Sequence, residues 1–260
     1  MKHIKRAIKY ILSNTFLKNI YIKRRLPRKF SNTYIFVTPS ARLKFLKPGK
    51  SVFRKDYSGL MYLADSIVEE NDKVWDIGAN IGIFTFAAAR KVGSLGEVIS
   101  VEADTFLVQL LRKSKQISSN EKLNVKVLPA AISSEDKISS FMISAEGRNT
   151  SFLKSELGQF NRNYASEVFV PTYKLDTLKN YFRPPDVLKI DVEGAEYEVI
   201  SGAKEMIATN KPKIYCEVSE VNIDRVTKIL SELGYDLYKI ENGSIKDIEE
   251  CVFNTLAIPN

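Results

Sequence analysis

The sequence predicts an α/β fold, a mostly parallel sheet of seven strands with helices on both faces, preceded by a basic N-terminal extension. Three observations predict it. Residues 73–87 (KVWDIGANIGIFTFA) run from an apolar strand through a glycine-rich turn into an Ala-containing helical pattern. Residues 187–190 (VLKI) form a second short strand-like run, apolar but for Lys189, which ends in Asp191-Val192-Glu193-Gly194 before another helical stretch. Strand-like and helix-like segments also alternate through most of the chain, as in parallel strands joined by crossover helices.

The elements are expected in the following order. A helix at 58–69 leads to the turn Glu70-Asn71-Asp72 and the first central strand. The second strand is 97–101, followed by a helix at 105–118, and the third is 125–128. The fourth, 187–190, is followed by a helix at 195–208. The fifth, 213–218, is followed by a helix at 223–233 that Gly234 ends. Strands at 236–240 and 252–258 complete seven, and the turn signal Asn242-Gly243 suggests that these last two pair as an antiparallel hairpin. The interval 134–178 is too long for a plain crossover. It holds strand-like segments at 141–143 and 168–170 and the polar loop 146–152, expected either to bind an acceptor or to be a surface excursion.

A length of 260 residues suits one large α/β domain plus an appendage, placed here at 56–260 and 1–55. The net charge of +8 hides an asymmetry. No Asp or Glu precedes Asp56, whereas that stretch holds 16 Lys and Arg; the remainder carries 23 basic and 31 acidic side chains. In residues 2–15, Ile4, Ala7, Ile8, Ile11 and Leu12 share one helical face opposite Lys2, Lys5, Arg6 and Lys9. Lys23, Arg24, Arg25, Arg28 and Lys29 then gather around Pro27, and two short strands are expected at 34–38 and 43–46. One reading lays residues 1–30 on an anionic membrane, each basic residue contributing about 1 kcal/mol near the surface. The other packs the helix on the body or on a partner subunit, and phosphate binding to nucleic acid is less favoured. Cys216 and Cys251, widely spaced, suit reduced core thiols of a cytoplasmic protein. No run of about 18 uncharged apolar residues is present, and Lys9 interrupts the apolar part of the N-terminus, so neither a membrane span nor a secretory signal is expected.

The turn Asp76-Ile77-Gly78-Ala79-Asn80-Ile81-Gly82 lets the backbone bend sharply and approach a ligand. Asn80 and Ile83 stand where the dinucleotide fingerprint needs glycine, and no P-loop Lys-Ser/Thr follows. The carboxylate of Asp76 at the strand end favours a cationic ligand, and the sulfonium and α-amino groups of S-adenosylmethionine fit. The pattern D-x-G-x-N-x-G resembles motif I of Rossmann-like class I methyltransferases. Glu102, twenty residues after Gly82, is placed to accept hydrogen bonds from both ribose hydroxyls, and Asp104 to cap the next helix. The small run Ala130-Ala131-Ile132-Ser133 is a candidate for an adenine contact or simply a strand end.

Lys189, Asp191 and Glu193 put charges on and just past a strand that should be buried on both faces, so they need partners or a task. The stretches VWDIGANIG and LKIDVEGAEYEVISGA together resemble the FkbM family of S-adenosylmethionine-dependent O-methyltransferases over roughly 56–258. That resemblance implies Asp76, Gly78, Asn80, Gly82 and Glu102 around the cofactor, Asp191 and Glu193 by the reacting centre, and a hydroxyl of a sugar, glycan or glycolipid as acceptor. Two departures stand out: Val101-Glu102-Ala103-Asp104 replaces the more usual Glu-Pro-Asn, and the basic arm is no part of the shared domain. The only histidine, His3, lies in the arm, so Asp191 is the expected base, Glu193 the orienting group and Lys189 a tuning or supporting residue. The alternatives are helix capping by the two acids, a divalent ion on Asp191, Glu193 and Glu217 (no metal being expected), a nucleic-acid 2′-O-methyltransferase, and a non-catalytic binding module.

Overall fold

The computed structural model describes residues 28–30, 33–35, 52–145, 150–154, 163–241 and 244–260. The arm helix expected at 2–15, the strand at 43–46, the loop tip 146–149 and the Asn242-Gly243 pair lie outside the described residues. A short hairpin comes first, β1 (Arg28–Phe30) antiparallel to β2 (Thr33–Ile35). The strand expected at 34–38 overlaps β2, but its partner precedes it in the chain. Helix α1 (Val52–Ile67) begins six residues before the expected start and so runs across residue 56.

In chain order there follow β3 (Lys73–Ile77), α2 (Ile83–Lys91), β4 (Glu97–Glu102), α3 (Thr105–Lys115) and β5 (Val125–Pro129). The long interval holds β6 (Ala131–Ile132), β7 (Lys137–Ser144), β8 (Phe152–Leu153), β9 (Tyr164–Tyr173) and α4 (Leu175–Leu178). Then come β10 (Val187–Ile190), α5 (Glu196–Ser201), α6 (Lys204–Asn210), β11 (Lys213–Glu217) and α7 (Ile223–Glu232). The chain finishes with β12 (Tyr235–Glu241), β13 (Ser244–Ile248) and β14 (Asn254–Pro259).

The main sheet has the order β13-β12-β14-β11-β10-β3-β4-β5. Strands β11, β10, β3, β4 and β5 are parallel, and β12, β13 and β14 pair antiparallel. Eight strands replace the seven expected. The register Glu241↔Ser244 leaves two residues between β12 and β13, so the Asn-Gly turn signal serves this extra strand. Strand β14 pairs antiparallel with β12 as expected, but reaches it by way of β13 and fits between β11 and β12.

Parallel strands must be covered on both faces, and β10 is buried at all four positions. One face packs Trp75, Ile77, Leu188, Ile190 and Ile214 against Val199, Met206 and Leu230. The other packs Val74, Val187 and Leu256 against Ala64, Phe84 and Leu110. Each large aliphatic or aromatic side chain so buried contributes about 1.5–3 kcal/mol.

The helix expected at 195–208 breaks at Gly202-Ala203. A β-carbon on Gly202 would stand 2.2 Å from the Ser133 carbonyl oxygen, and Asp176 accepts the backbone N–H of Met206 (2.7 Å) and Glu205 (3.2 Å) to start α6 anew. In the long interval, strands run over 137–144 and 164–173, including those expected around 141–143 and 168–170; with β6 and β8 they form a second sheet, β6-β9-β7-β8.

Candidate active site

The glycine turn connects β3 to α2 at the carboxyl edge of the sheet. Gly78 (φ 74°), Asn80 (φ 54°) and Gly82 (φ 87°) all take left-handed backbone. The N–H groups of Gly78 and Ala79 both donate to the Val101 carbonyl at 3.0 Å, which anchors the turn to β4. A β-carbon on Gly78 would meet the Asp191 carbonyl oxygen at 1.8 Å, and one on Gly82 would meet Leu111 Cδ2 at 2.5 Å. Both glycines are therefore demanded by packing as well as by conformation. Asn80, whose residue type tolerates this conformation better than most, donates its backbone N–H to Glu102 Oε2 at 2.8 Å.

Glu102 ends β4, almost wholly buried. Its Oε1 accepts the N–H of Asp104 at 2.8 Å, so each carboxylate oxygen holds one backbone donor and keeps capacity for another. Burial pushes its pKa up to about 7; the bonds from Asp104 and Asn80 oppose this, and the charges of Asp104 and Asp191 add to it. Asp104 caps α3 as expected, accepting from Phe106 N at 2.8 Å.

Strand register sets the charges. Asp76 lies opposite Lys189, and Lys189 opposite Tyr215. Lys189 Nζ, fully enclosed, stands 3.1 Å from Asp76 Oδ1, 3.3 Å from Asp191 Oδ2 and 3.4 Å from the Gly78 carbonyl. Burial works against its charge, but the carboxylates of Asp76, Asp191 and Glu217 together hold its pKa above the ordinary lysine range. Thr85 Oγ1 donates to the other oxygen of Asp76 at 2.5 Å. Asp76 is thus fully buried beneath the turn, its charge met by Lys189 and not presented to the cleft.

Above the turn lies a cleft partly open to solvent. Gly78, Asn80, Glu102, Asp191 and Glu193 line it together, while Asp76 and Gly82 are not among its lining residues. Of the run Ala130-Ala131-Ile132-Ser133, the first three line it too, and Ala131–Ile132 form the short strand β6. The tip of β10 is shaped by positive φ at Glu193 (56°) and Gly194 (110°), and the N–H of Asp191 donates to Ile77 O at 3.0 Å. Helix α5 starts from Ala195 at its N-cap, a residue whose side chain cannot cap it.

One contact escaped the sequence reading, and two further features fill in residues it had named. Buried Glu196 accepts from Gly194 N (2.6 Å), Ser219 Oγ (2.7 Å) and Asn222 Nδ2 (2.6 Å), clamping the β10 tip to the segment before α7. Its only sequence signal was an acid in the first turn of a helix, which reads equally well as solvated. Glu217 follows Cys216, the register partner of Ile190, and so stands beside Asp191. Burial raises its pKa to about 7, with Asp191, Glu193 and Glu196 adding and Lys189 opposing. Finally, Phe141, Ser151 and Leu153 of the second sheet line the same cleft. Among the described residues, no group of three or more His, Cys, Asp or Glu is placed to hold a metal ion.

A doubly covered parallel sheet, a glycine turn at its carboxyl edge and an acid ending the next strand define a class I, Rossmann-like S-adenosylmethionine-dependent methyltransferase domain. The Methyltransferase FkbM domain matches residues 76–237, and the chain belongs to that family. The methyltransferase FkbM of Methylobacillus flagellatus superposes with a TM-score of 0.50 at 18% identity, over 96% of this chain and 60% of its own. The present chain thus spans about three fifths of that relative. Precorrin-6y C5,15-methyltransferase of Geobacter metallireducens aligns over 82% of this chain and 93% of its own, at 14% identity and a TM-score of 0.47. Aeropyrum pernix fibrillarin, a structure with natively bound S-adenosyl-L-methionine, aligns over 77% and 72%, at 12% identity and a TM-score of 0.42. No curated protein matches the chain.

Proposed function

We propose that this domain methylates a hydroxyl of a sugar, glycan or glycolipid. One observation carries the reading: two acids at the β10 tip, Asp191 and Glu193, share a cleft with the residues suited to the donor, Gly78, Asn80 and Glu102. S-adenosylmethionine supplies a sulfonium-activated methyl group when bound. The cleft suits it, because Glu102 has lone pairs left for the two ribose hydroxyls and the turn keeps side chains out of the way. Asp191 holds and then takes the proton of the acceptor hydroxyl, raising the nucleophilicity of that oxygen, and Glu193 orients the sugar through a further hydroxyl. Holding the acceptor in line contributes the larger share.

The basic arm fits the same reading. Its surplus of 16 positive charges would draw the domain to an anionic membrane carrying glycolipid acceptors, and no helix among the described residues is long and apolar enough to cross that membrane. The excess of acid over base after residue 55 disfavours a nucleic-acid acceptor. Incubation with tritiated methyl donor, offered a glycolipid extract and total RNA in parallel, tests this. Label is expected in the glycolipid fraction, resistant to mild alkali as an ether should be. Label confined to RNA would replace the reading with the 2′-O one.

A further inference from the structure

The second sheet, inserted between β5 and β10, reaches the cleft beside Ala130 and Ala131. Phe141 on β7, Ser151 just before β8 and Leu153 on β8 face the space that Ala130 and Ala131 also line. Hydrogen-bonded strands set their position. Ala131 pairs with Thr172 of β9, β9 pairs with β7, and Phe141 of β7 pairs with Leu153. Phe141 and Ser151 are 7% and 8% exposed, so this wall is built into the fold and does not lie on its surface.

Its chemistry is mixed in a useful way. Phe141 and Leu153 are apolar, as are Ala130 and Ala131 nearby. Ser151 Oγ accepts the N–H of Ser144 at 3.2 Å, which occupies one lone pair and leaves its O–H to donate. A flat ligand with apolar faces and an acceptor atom on its edge meets both requirements. Strand order β10-β3-β4-β5 places Asp191, the glycine turn, Glu102 and Ala130 in sequence along the cleft, so a donor held at Glu102 can extend toward Ala130.

We propose that this inserted sheet forms the adenine wall of the donor site, with Phe141 and Leu153 against the base and the Ser151 hydroxyl donating to a ring nitrogen. The inference rests on S-adenosylmethionine being the donor. It gives the 134–178 interval a role in donor selection, where the sequence had suggested acceptor binding.

Calorimetry on the full chain with S-adenosylhomocysteine and its 1-, 3- and 7-deaza analogues tests it. Ser151→Ala is expected to weaken the parent ligand about 5- to 10-fold, the loss of one buried hydrogen bond. One deaza analogue should suffer the same loss on the wild-type chain and no further loss on S151A. Phe141→Ala should weaken binding about 10-fold or more. If F141A lowers Tm sharply, F141L and S151A decide alone. Variants that bind like wild type, or an S151A loss that persists with all three analogues, overturn the adenine wall and leave the donor assignment standing. A wild-type chain that binds none of these ligands overturns both.

Discussion

Gly78 is a glycine because of Asp191. A β-carbon there would fall 1.8 Å from the Asp191 carbonyl oxygen, well inside any allowed contact, and the residue also sits at a φ of 74°. The tip of β10 and the turn after β3 are consequently pressed together, and the Asp191 N–H also donates to Ile77 O at 3.0 Å. Gly78→Ala should destabilise the domain by more than about 2 kcal/mol, since left-handed backbone alone costs roughly 1–2 kcal/mol for a residue with a β-carbon. Chemical denaturation measures the first effect and calorimetry the second, a loss of S-adenosylhomocysteine binding. Wild-type stability and affinity in G78A would mean that the two tips are free to separate.

The buried Asp76–Lys189 pair predicts an asymmetry between single and double substitutions. Lys189→Met leaves Asp76 enclosed beside an apolar chain, and breaking a buried pair typically costs about 3–5 kcal/mol. Removing both charges in D76N/K189M should recover most of that loss, because replacing a whole buried pair is often close to neutral. Urea unfolding of the two variants gives the comparison. Equal destabilisation would mean that the lysine matters mainly through Asp191, 3.3 Å away on the other side.

Much of this arrangement was legible in the chain, and what was not has identifiable causes. Residues 187–190 were placed to the residue because Val187, Leu188 and Ile190 around Lys189 are bounded by Asp186 and Asp191. Glu102 and Asp104 followed from their distance to the turn, which local geometry sets. Asp76 was read as facing a cation, yet strand alternation puts it on the same side as Val74, toward the helices. Its partner Lys189 lies 113 residues away in the chain, and only sheet register joins them. Strand β13, Ser-Ile-Lys-Asp-Ile, is mostly exposed and too polar to announce itself. The cleft-lining role of Phe141 and Ser151 depends on how two sheets abut, which no local pattern carries.

With Glu102 on the donor's ribose as proposed, donor binding should depend on pH. Its carboxyl, raised by burial to about 7, is largely protonated at pH 6, whereas accepting two ribose hydroxyls favours the ionised form. Affinity for S-adenosylhomocysteine should climb as pH rises through 7 and level off above it, with a limiting slope of about tenfold per unit on the acid side. Glu102→Gln should bind more weakly with this dependence removed. Calorimetry between pH 5.5 and 8.5 checks both, and a wild-type profile that is flat or falls with pH contradicts the assigned contact.

Asp191 is the proposed proton acceptor, and its removal should separate chemistry from donor binding. Asp191→Asn keeps the shape of the residue and loses the basic oxygen, so turnover on the labelled acceptor should fall by about 10²–10⁴. Donor affinity should change little. If turnover survives and its pH profile is unaltered, the proton leaves by another route, and the neighbouring Glu217 becomes the group to test.

Glu217 carries its own signature in stability. Burial first, then Asp191, raises its carboxyl from an ordinary value of 4.5 to about 7 in the folded chain. Between those values the folded state holds a proton that the unfolded state gives up, so the residue's contribution weakens the fold progressively as pH rises through that window. Below about 4.5 both states are protonated and the contribution vanishes. Glu217→Gln, neutral throughout, should therefore raise Tm at pH 8 by about 2–4 °C or more and change it little near pH 4.5. Calorimetric melting at the two pH values reads the difference directly. A variant less stable than wild type at pH 8 would show that the ionised carboxylate is held by Lys189 strongly enough to outweigh its burial beside Asp191.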